Sequence, residues 1–135
     1  MSAEDDIKLV REGFEAFANA DLNWLTEHFA DDIVWHVGGN SPMSGDHAGR
    51  DTVLAFLAKS MQVTGGQFAN DIHDVVGSDE HVVVLTTTKV GAPDGDELED
   101  HSVLVFHLAD GKAAEVWAFE EHQDRWDAFW TKHAT

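Results

Sequence analysis

From residue 67 onward the chain reads as four β-rich runs, residues 67–76, 81–90, 97–108 and 112–121. They are separated only by Gly77-Ser78-Asp79-Glu80, Pro93-Asp94-Gly95 and Asp110-Gly111. Connections this short join antiparallel neighbours, because a parallel pair needs a crossover of a dozen residues or more. The second half is therefore an antiparallel meander, and something else must cover its apolar face. The first half supplies helices. Ser2 is placed to cap a helix in which Ile7, Val10, Phe14 and Phe17 form one apolar stripe. Asn19-Ala20-Asp21 ends it, and Asp21 caps a second helix with Leu22, Leu25 and Phe29 on one face. A strand follows at Ile33-Val34-Trp35-His36-Val37, then a loop over residues 38–50 with four glycines and Pro42. Asp51 starts a third helix bearing Val53, Phe56, Leu57 and Ser60, which stops before Gly65-Gly66. Asp124 caps a short terminal helix with Trp126, Phe129 and Trp130 on one side. The expected class is α+β, one domain over residues 1–135, with three helices in the N-terminal half packed on a curved, mostly antiparallel sheet and a short C-terminal helix.

Composition narrows the function. Asp and Glu number 26 against 8 Lys and Arg, a formal charge of −18. Duplex binding needs cations to neutralise phosphates, so nucleic acid is not an expected partner, nor is an anionic membrane. With no cysteine, thiolate catalysis, disulfides and Cys-ligated zinc are excluded. No apolar run is long enough to span a bilayer, and Met1-Ser2-Ala3-Glu4-Asp5-Asp6 lacks the basic and apolar parts of a signal peptide. A soluble cytoplasmic protein is expected. The acidity fits a solvated surface, with adaptation to high salt as the alternative.

Phe14-Glu15-Ala16-Phe17-Ala18-Asn19-Ala20-Asp21-Leu22, Phe29-Ala30-Asp31-Asp32-Ile33-Val34-Trp35-His36, Gly49-Arg50-Asp51 and Asp110-Gly111-Lys112 leading into Glu115-Val116-Trp117 occur in an order that carries a resemblance. The chain resembles the SnoaL-like family of the NTF2-like, ketosteroid-isomerase-like superfamily over about residues 7 to 130. The resemblance implies a cone-shaped barrel enclosing a pocket, usually within a homodimer. Its members include isomerases, polyketide cyclases, epoxide hydrolases and dehydratases, together with proteins of no demonstrated chemistry. Function therefore has to be argued from the pocket.

Strand alternation, placed beside the family's pattern, turns Ile33, Trp35 and Val37 inward, with Ser102, Leu104 and Phe106, and with Val116, Ala118 and Glu120. Phe14, Phe17 and Phe56 join them from the helices. Such a lining suits a small hydrophobic molecule, unless these side chains simply fill a core. The resemblance also places Phe14, Leu104 and Val37 where ketosteroid isomerases carry a Tyr and two Asp, and Ala118 where SnoaL-type cyclases carry an acid. Arg11, Arg50 and Arg125 give no match to the epoxide-hydrolase Asp-Arg-Asp set. None of those mechanisms transfers intact.

The acid–base candidates that remain are Glu120, His36 and His73. Glu120 points inward among aromatic residues, where desolvation raises a carboxyl pKa; otherwise it is a hydrated rim carboxylate beside Glu121. His36 alternates with Trp35 and faces away from the pocket, as a surface or interface histidine. Asp74, adjacent to His73, points to the opposite face and does not orient it. No metal or other cofactor is expected. The nine histidines include no His-Glu-x-x-His and no helical i, i+4 pair, and His101 and His107 lie about 20 Å apart along one strand face. The outer sheet face carries Val103, Val105, Trp117 and Phe119 where polar residues belong, which predicts a homodimer across the sheets, with Trp126, Phe129 and Trp130 nearby; alternatively the terminal helix covers this patch. The expected function is small-molecule binding in an apolar pocket. It extends to cofactor-free isomerase, cyclase or hydrolase chemistry through a carboxylate or histidine, the alternative being a non-catalytic ligand-binding or dimerisation module.

Overall fold

The computed structural model describes residues 2–135. Helix α1 (Ala3–Ala18) opens on a reciprocal cap: Ser2 Oγ accepts the Asp5 N–H at 3.1 Å, and the Asp5 carboxylate accepts the Ser2 N–H at 3.3 Å. Glu4, Asp5 and Asp6 put negative charge in the first turn, where the helix dipole favours it. In α2 (Leu22–His28) the Asp21 side chain accepts the Trp24 N–H. The chain then turns extended at Phe29, so that residue begins β1 (Phe29–Val37) rather than closing the helix face expected of it. Asp31 and Asp32 are exposed strand residues, and Asp31 pairs with Arg50 at 2.7 Å.

Residues 38–50 are not loop throughout. They contain β2 (Gly45–Ala48), four residues that pair antiparallel with β1 from Val34↔Ala48 to Val37↔Gly45. A strand of this length with glycine and charged residues carries almost no apolar alternation, which is why periodicity misses it. Helix α3 (Arg50–Thr64) starts one residue before Asp51, with Gly49 at φ 93° as its N-cap and no side-chain cap. Four long strands follow: β3 (Phe68–Gly77), β4 (His81–Gly91), β5 (Glu97–Ala109) and β6 (Lys112–Glu120). The last helix, α4 (Gln123–His133), has His122 at its N-cap position without a side-chain cap, and Asp124, expected to cap it, lies in its first turn.

The strands form one six-stranded sheet in the order β2-β1-β6-β5-β4-β3. The meander from β3 to β6 is antiparallel, as the short turns require, while β1 lies parallel to β6. The sheet is open, with β2 and β3 at its two edges, so the cone-like α+β fold is completed by helices and not by strand closure. Beneath the sheet lie Ile33, Val53, Val82, Val84 and Val116, all sealed from solvent. A second cluster joins Trp126, Phe129 and Trp130 of α4 to Met43, Val90 and Ala92. Thus α4 packs on the inner side of the sheet. It neither neighbours nor covers the outer apolar patch, contrary to both readings of its aromatic stripe.

Candidate functional site

Between the helices and the concave sheet face lies a cavity of about 130 Å³, walled almost entirely by carbon. Its aromatic side is a chain of edge-on and tilted ring contacts: Trp35 meets Phe106, Phe56 and Phe29 with ring centroids 6.1–6.2 Å apart, and Phe14 meets Phe106 at 6.0 Å. Of the residues expected to face inward, Phe14, Phe17, Trp35, Val37, Phe56, Ser102, Leu104, Phe106 and Ala118 all line this space, and Glu120 does too. Val116 points the same way, but with Ile33 it is packed into the core behind the cavity and does not border it.

The polar part of the wall is one ridge running across four strands. Ser102 and Glu120 stand opposite each other in the β5–β6 pair, and Ser102 Oγ donates to Glu120 Oε2 at 2.5 Å. Thr88 Oγ1, one step along β4, lies 2.8 Å from Ser102 Oγ. It also lies 3.0 Å from Oδ1 of Asn70, its partner in the β3–β4 pair. Thr88 and Ser102 are almost wholly buried. Sequence reasoning did not single out Asn70 or Thr88. In Thr86-Thr87-Thr88 alternation shows no contrast between faces, and an isolated Asn in a strand reads as surface.

Burial pushes the Glu120 carboxyl up to about 7, with the negative charge of Asp100 adding to the rise and the Ser102 hydrogen bond opposing it. Asp100 itself is buried, which raises its pKa. The hydrogen bonds from the His122 side chain and backbone and from the His101 backbone outweigh that and hold it below the usual carboxylate range. Both Asp100 oxygens are engaged by His122, Oδ2 by the backbone N–H at 2.9 Å and Oδ1 by Nδ1 at 2.8 Å, which fixes the start of α4. Among the described residues, only Glu120 and His28 of the cavity wall are ionisable; no Lys or Arg reaches it. His28 is turned back on its own helix, with Nδ1 2.7 Å from the Trp24 carbonyl and its ring stacked on Trp24.

Helix α4 closes one end through Gln123, which the sequence does not single out, and through Trp126 and Trp130, which were expected at the outer sheet face. The Trp130 indole N–H is buried and has no hydrogen-bond partner among the described residues. The loop over residues 38–44 is clamped to this helix by Asp127, which accepts the Asn40 N–H at 2.8 Å and the Gln123 amide at 2.9 Å. The approach requires Gly39, at φ 85°: a Cβ there would come within 2.2 Å of Asp127 Oδ1.

The two histidine candidates lie outside the cavity. His36 is on the outer sheet face, its Nδ1 2.7 Å from Asp46 on β2 and its Nε2 2.6 Å from Glu115 on β6, with its ring stacked on Trp117. The two carboxylates raise its pKa, chiefly through the Asp46 hydrogen bond and then that of Glu115. His73 is exposed at the β3 bulge between Ile72 and Asp74, and the Asp74 carboxylate accepts the Val75 N–H instead.

Residues 10–116 match the SnoaL-like domain model. The fold agrees with that of Bal32a, from a soil-derived mobile gene cassette, at 30% identity and a TM-score of 0.90 over 95% of this chain and 98% of the other. A Xanthomonas campestris protein of unknown function with a cystatin-like fold is 31% identical, with a TM-score of 0.86 over 93% and 97%. An uncharacterised Mycobacterium tuberculosis protein is 27% identical over 130 residues, 96% of this chain and 99% of its own. No helix among the described residues is long and apolar enough to cross a membrane. With the match extending through most of its length, the chain belongs to the SnoaL-like domain family.

Proposed function

We propose that the protein binds a small, largely apolar molecule in the cavity and carries out cofactor-free proton-transfer chemistry on it, of isomerase, cyclase or hydrolase type, with Glu120 as acid and base. The observation that carries this reading is a largely buried carboxyl on the wall of a mostly apolar chamber, its pKa pushed up to about 7 by burial. A group with a pKa near the operating pH is populated in both forms, so it can take a proton and return it. The SnoaL-like fold, which is a small-molecule-binding fold, supports the binding part. The lining supports the ligand class: no Lys or Arg among the described residues reaches the wall to pair with a carboxylate or phosphate, whereas a neutral ring system meets Trp35, Phe56 and Phe106. The unpartnered Trp130 N–H favours a ligand that carries a hydrogen-bond acceptor. His36 and His73, distant from this wall, have no place in the scheme.

The second reading, a ligand-binding module without chemistry, is favoured by one observation. Phe14, Val37, Leu104 and Ala118, where the ketosteroid isomerases and cyclases carry polar groups, are all cavity-facing carbon here. In either case the outer sheet face is proposed as the contact between two copies of the chain.

The test is binding of a neutral naphthalene-type fluorescent dye between pH 5 and 9. Wild type is expected to show an inflection near 7 that is absent in Glu120→Gln. A wild-type profile flat across that range would remove Glu120 from the site and leave the second reading.

A further inference from the structure

The polar ridge has a property that follows from counting protons. Thr88 Oγ1 carries a single hydrogen yet lies within bonding distance of two acceptors, Ser102 Oγ at 2.8 Å and Asn70 Oδ1 at 3.0 Å, so it donates to one at a time. Ser102 is under the same constraint between Thr88 and Glu120. Two self-consistent settings result. With Glu120 ionised, Ser102 donates to the carboxylate, Thr88 donates to Ser102, and Asn70 Oδ1 is left without a donor. With the proton on Glu120 Oε2, every donor reverses: Glu120 donates to Ser102, Ser102 to Thr88, and Thr88 to Asn70 Oδ1.

We propose that Asn70, Thr88 and Ser102 form a two-setting hydrogen-bond relay that couples the proton on Glu120 to the acceptor capacity of Asn70 across four strands. Ser102 and Thr88 are then positioning residues for Glu120, and Asn70 is a second polar contact for the ligand. The proposal rests on the reading of Glu120 as the proton-transfer group and adds to it a substrate class: an apolar molecule with an acceptor such as a carbonyl and, apart from it, a hydroxyl or N–H that Asn70 Oδ1 accepts. A donor bound at Asn70 satisfies the oxygen that the ionised setting leaves bare, and adds less in the protonated setting, where Thr88 already donates to it, so it favours the setting in which Glu120 is ionised. Ligand seating and loss of the Glu120 proton are thereby linked. The relay is nearly insulated. Thr88 and Ser102 are buried, and the titratable groups toward Glu120 are Asp100 from β5 and, across the cavity, His28 from α2; α1, α3, α4 and β1 present no ionisable side chain to this wall.

The experiment follows the Glu120 carboxyl carbon by NMR against pH in the unliganded protein. Ser102→Ala is expected to raise the titration midpoint by about one pH unit, because the lost hydrogen bond favours the ionised form. Asn70→Leu is expected to lower it by about half a pH unit, because the lost acceptor terminates the protonated setting. In a Thr88→Val background Asn70→Leu is expected to have no effect, since the connection is cut. Ser102→Thr, which keeps the hydroxyl, is expected to restore the midpoint. A generally loosened fold would not give opposite signs or this dependence on Thr88. If wild-type Glu120 titrates near 7 but Asn70→Leu leaves it unmoved, or moves it equally with Thr88 replaced, the relay is overturned while the role of Glu120 stands. If wild-type Glu120 titrates in the ordinary carboxylate range, the functional reading and the relay fall together.

Discussion

Ser102 and Glu120 face each other across the β5–β6 pair, and the hydroxyl is the hydrogen-bond partner of a largely buried carboxyl on the wall of the cavity. One hydrogen bond does not offset that desolvation, so the folded pKa sits near 7 where the ordinary value is 4.5. The unfolded chain loses this proton at lower pH than the folded one. Stability from this group is therefore greatest below 4.5, falls as pH rises toward 7, and is level above it. The span corresponds to roughly 3 kcal/mol. Glu120→Gln should accordingly match wild type near pH 4 and exceed it by up to about 3 kcal/mol at pH 8. Urea unfolding at the two pH values measures the difference; equal differences at both would contradict the buried assignment.

His36 gives the same sign of pH dependence from a different cause, attraction to carboxylates instead of burial. Its pKa is raised by Asp46 and Glu115, so the stabilisation is full below 6.5 and disappears as pH climbs through the folded value. Because Asp46 lies on β2, the histidine ties a four-residue edge strand to the sheet. The Asp46 side chain is 71% exposed, so screening keeps the gain small. His36→Gln should cost about 0.5–1 kcal/mol at pH 5.5 and almost nothing at pH 9. Amide exchange in β2 should quicken at low pH in the variant; exchange indistinguishable from wild type would show that the pair does not hold the edge.

Filling the cavity separates its role as a binding site from its role in packing. Ala118 borders the void between Val37 and Leu104, its neighbours in the sheet. A leucine there extends into about 130 Å³ of unoccupied space, so Ala118→Leu should change stability by less than about 1 kcal/mol, against 1–3 for overpacking a filled core. Dye affinity should fall at least about tenfold. A large loss of stability with dye affinity retained would mean that the space is not available to ligands.

These variants also show where sequence reasoning reached its limit. Period-two alternation placed Ser102, Leu104, Phe106, Ala118 and Glu120 on one face because β5 and β6 pair regularly up to the bulge at His107 and Leu108. The same rule turned His36 outward. It could not find Asn70 and Thr88, because their importance arises from a diagonal between strands that no local pattern encodes. Nor could it place Trp126 and Trp130. An apolar stripe says that a helix is covered, but the choice between the two sheet faces is made by tertiary ties: the Asp100 bonds to His122 at one end of α4 and the Asp127 clamp on residues 38–44. The short strand β2, recruited to the edge by pairing and by His36, was invisible for the same reason.

With α4 on the inner side, the outer sheet face stays open, and its apolar character needs an occupant. Asp74, Leu85, Val103 and Phe119 form one row across the strands, and Val76, Val83, Val105 and Trp117 form the next. Phe119 is 54% exposed, Val76 49% and Leu85 37%. Two adjacent rows of this kind on a chain with a charge of −18 make one surface that is not repelled by its own copy once ions screen the rest. Light scattering should therefore give twice the 14.9 kDa chain mass, with association tightening as salt rises. Phe119→Glu puts a carboxylate at the exposed centre of the patch, and in a symmetric pair it enters from both sides. The dimer should weaken at least about tenfold in this variant, while the monomer keeps its stability because the side chain is already half in water. A wild-type monomer at working concentration, or a dimer indifferent to Phe119→Glu, would place the contact elsewhere.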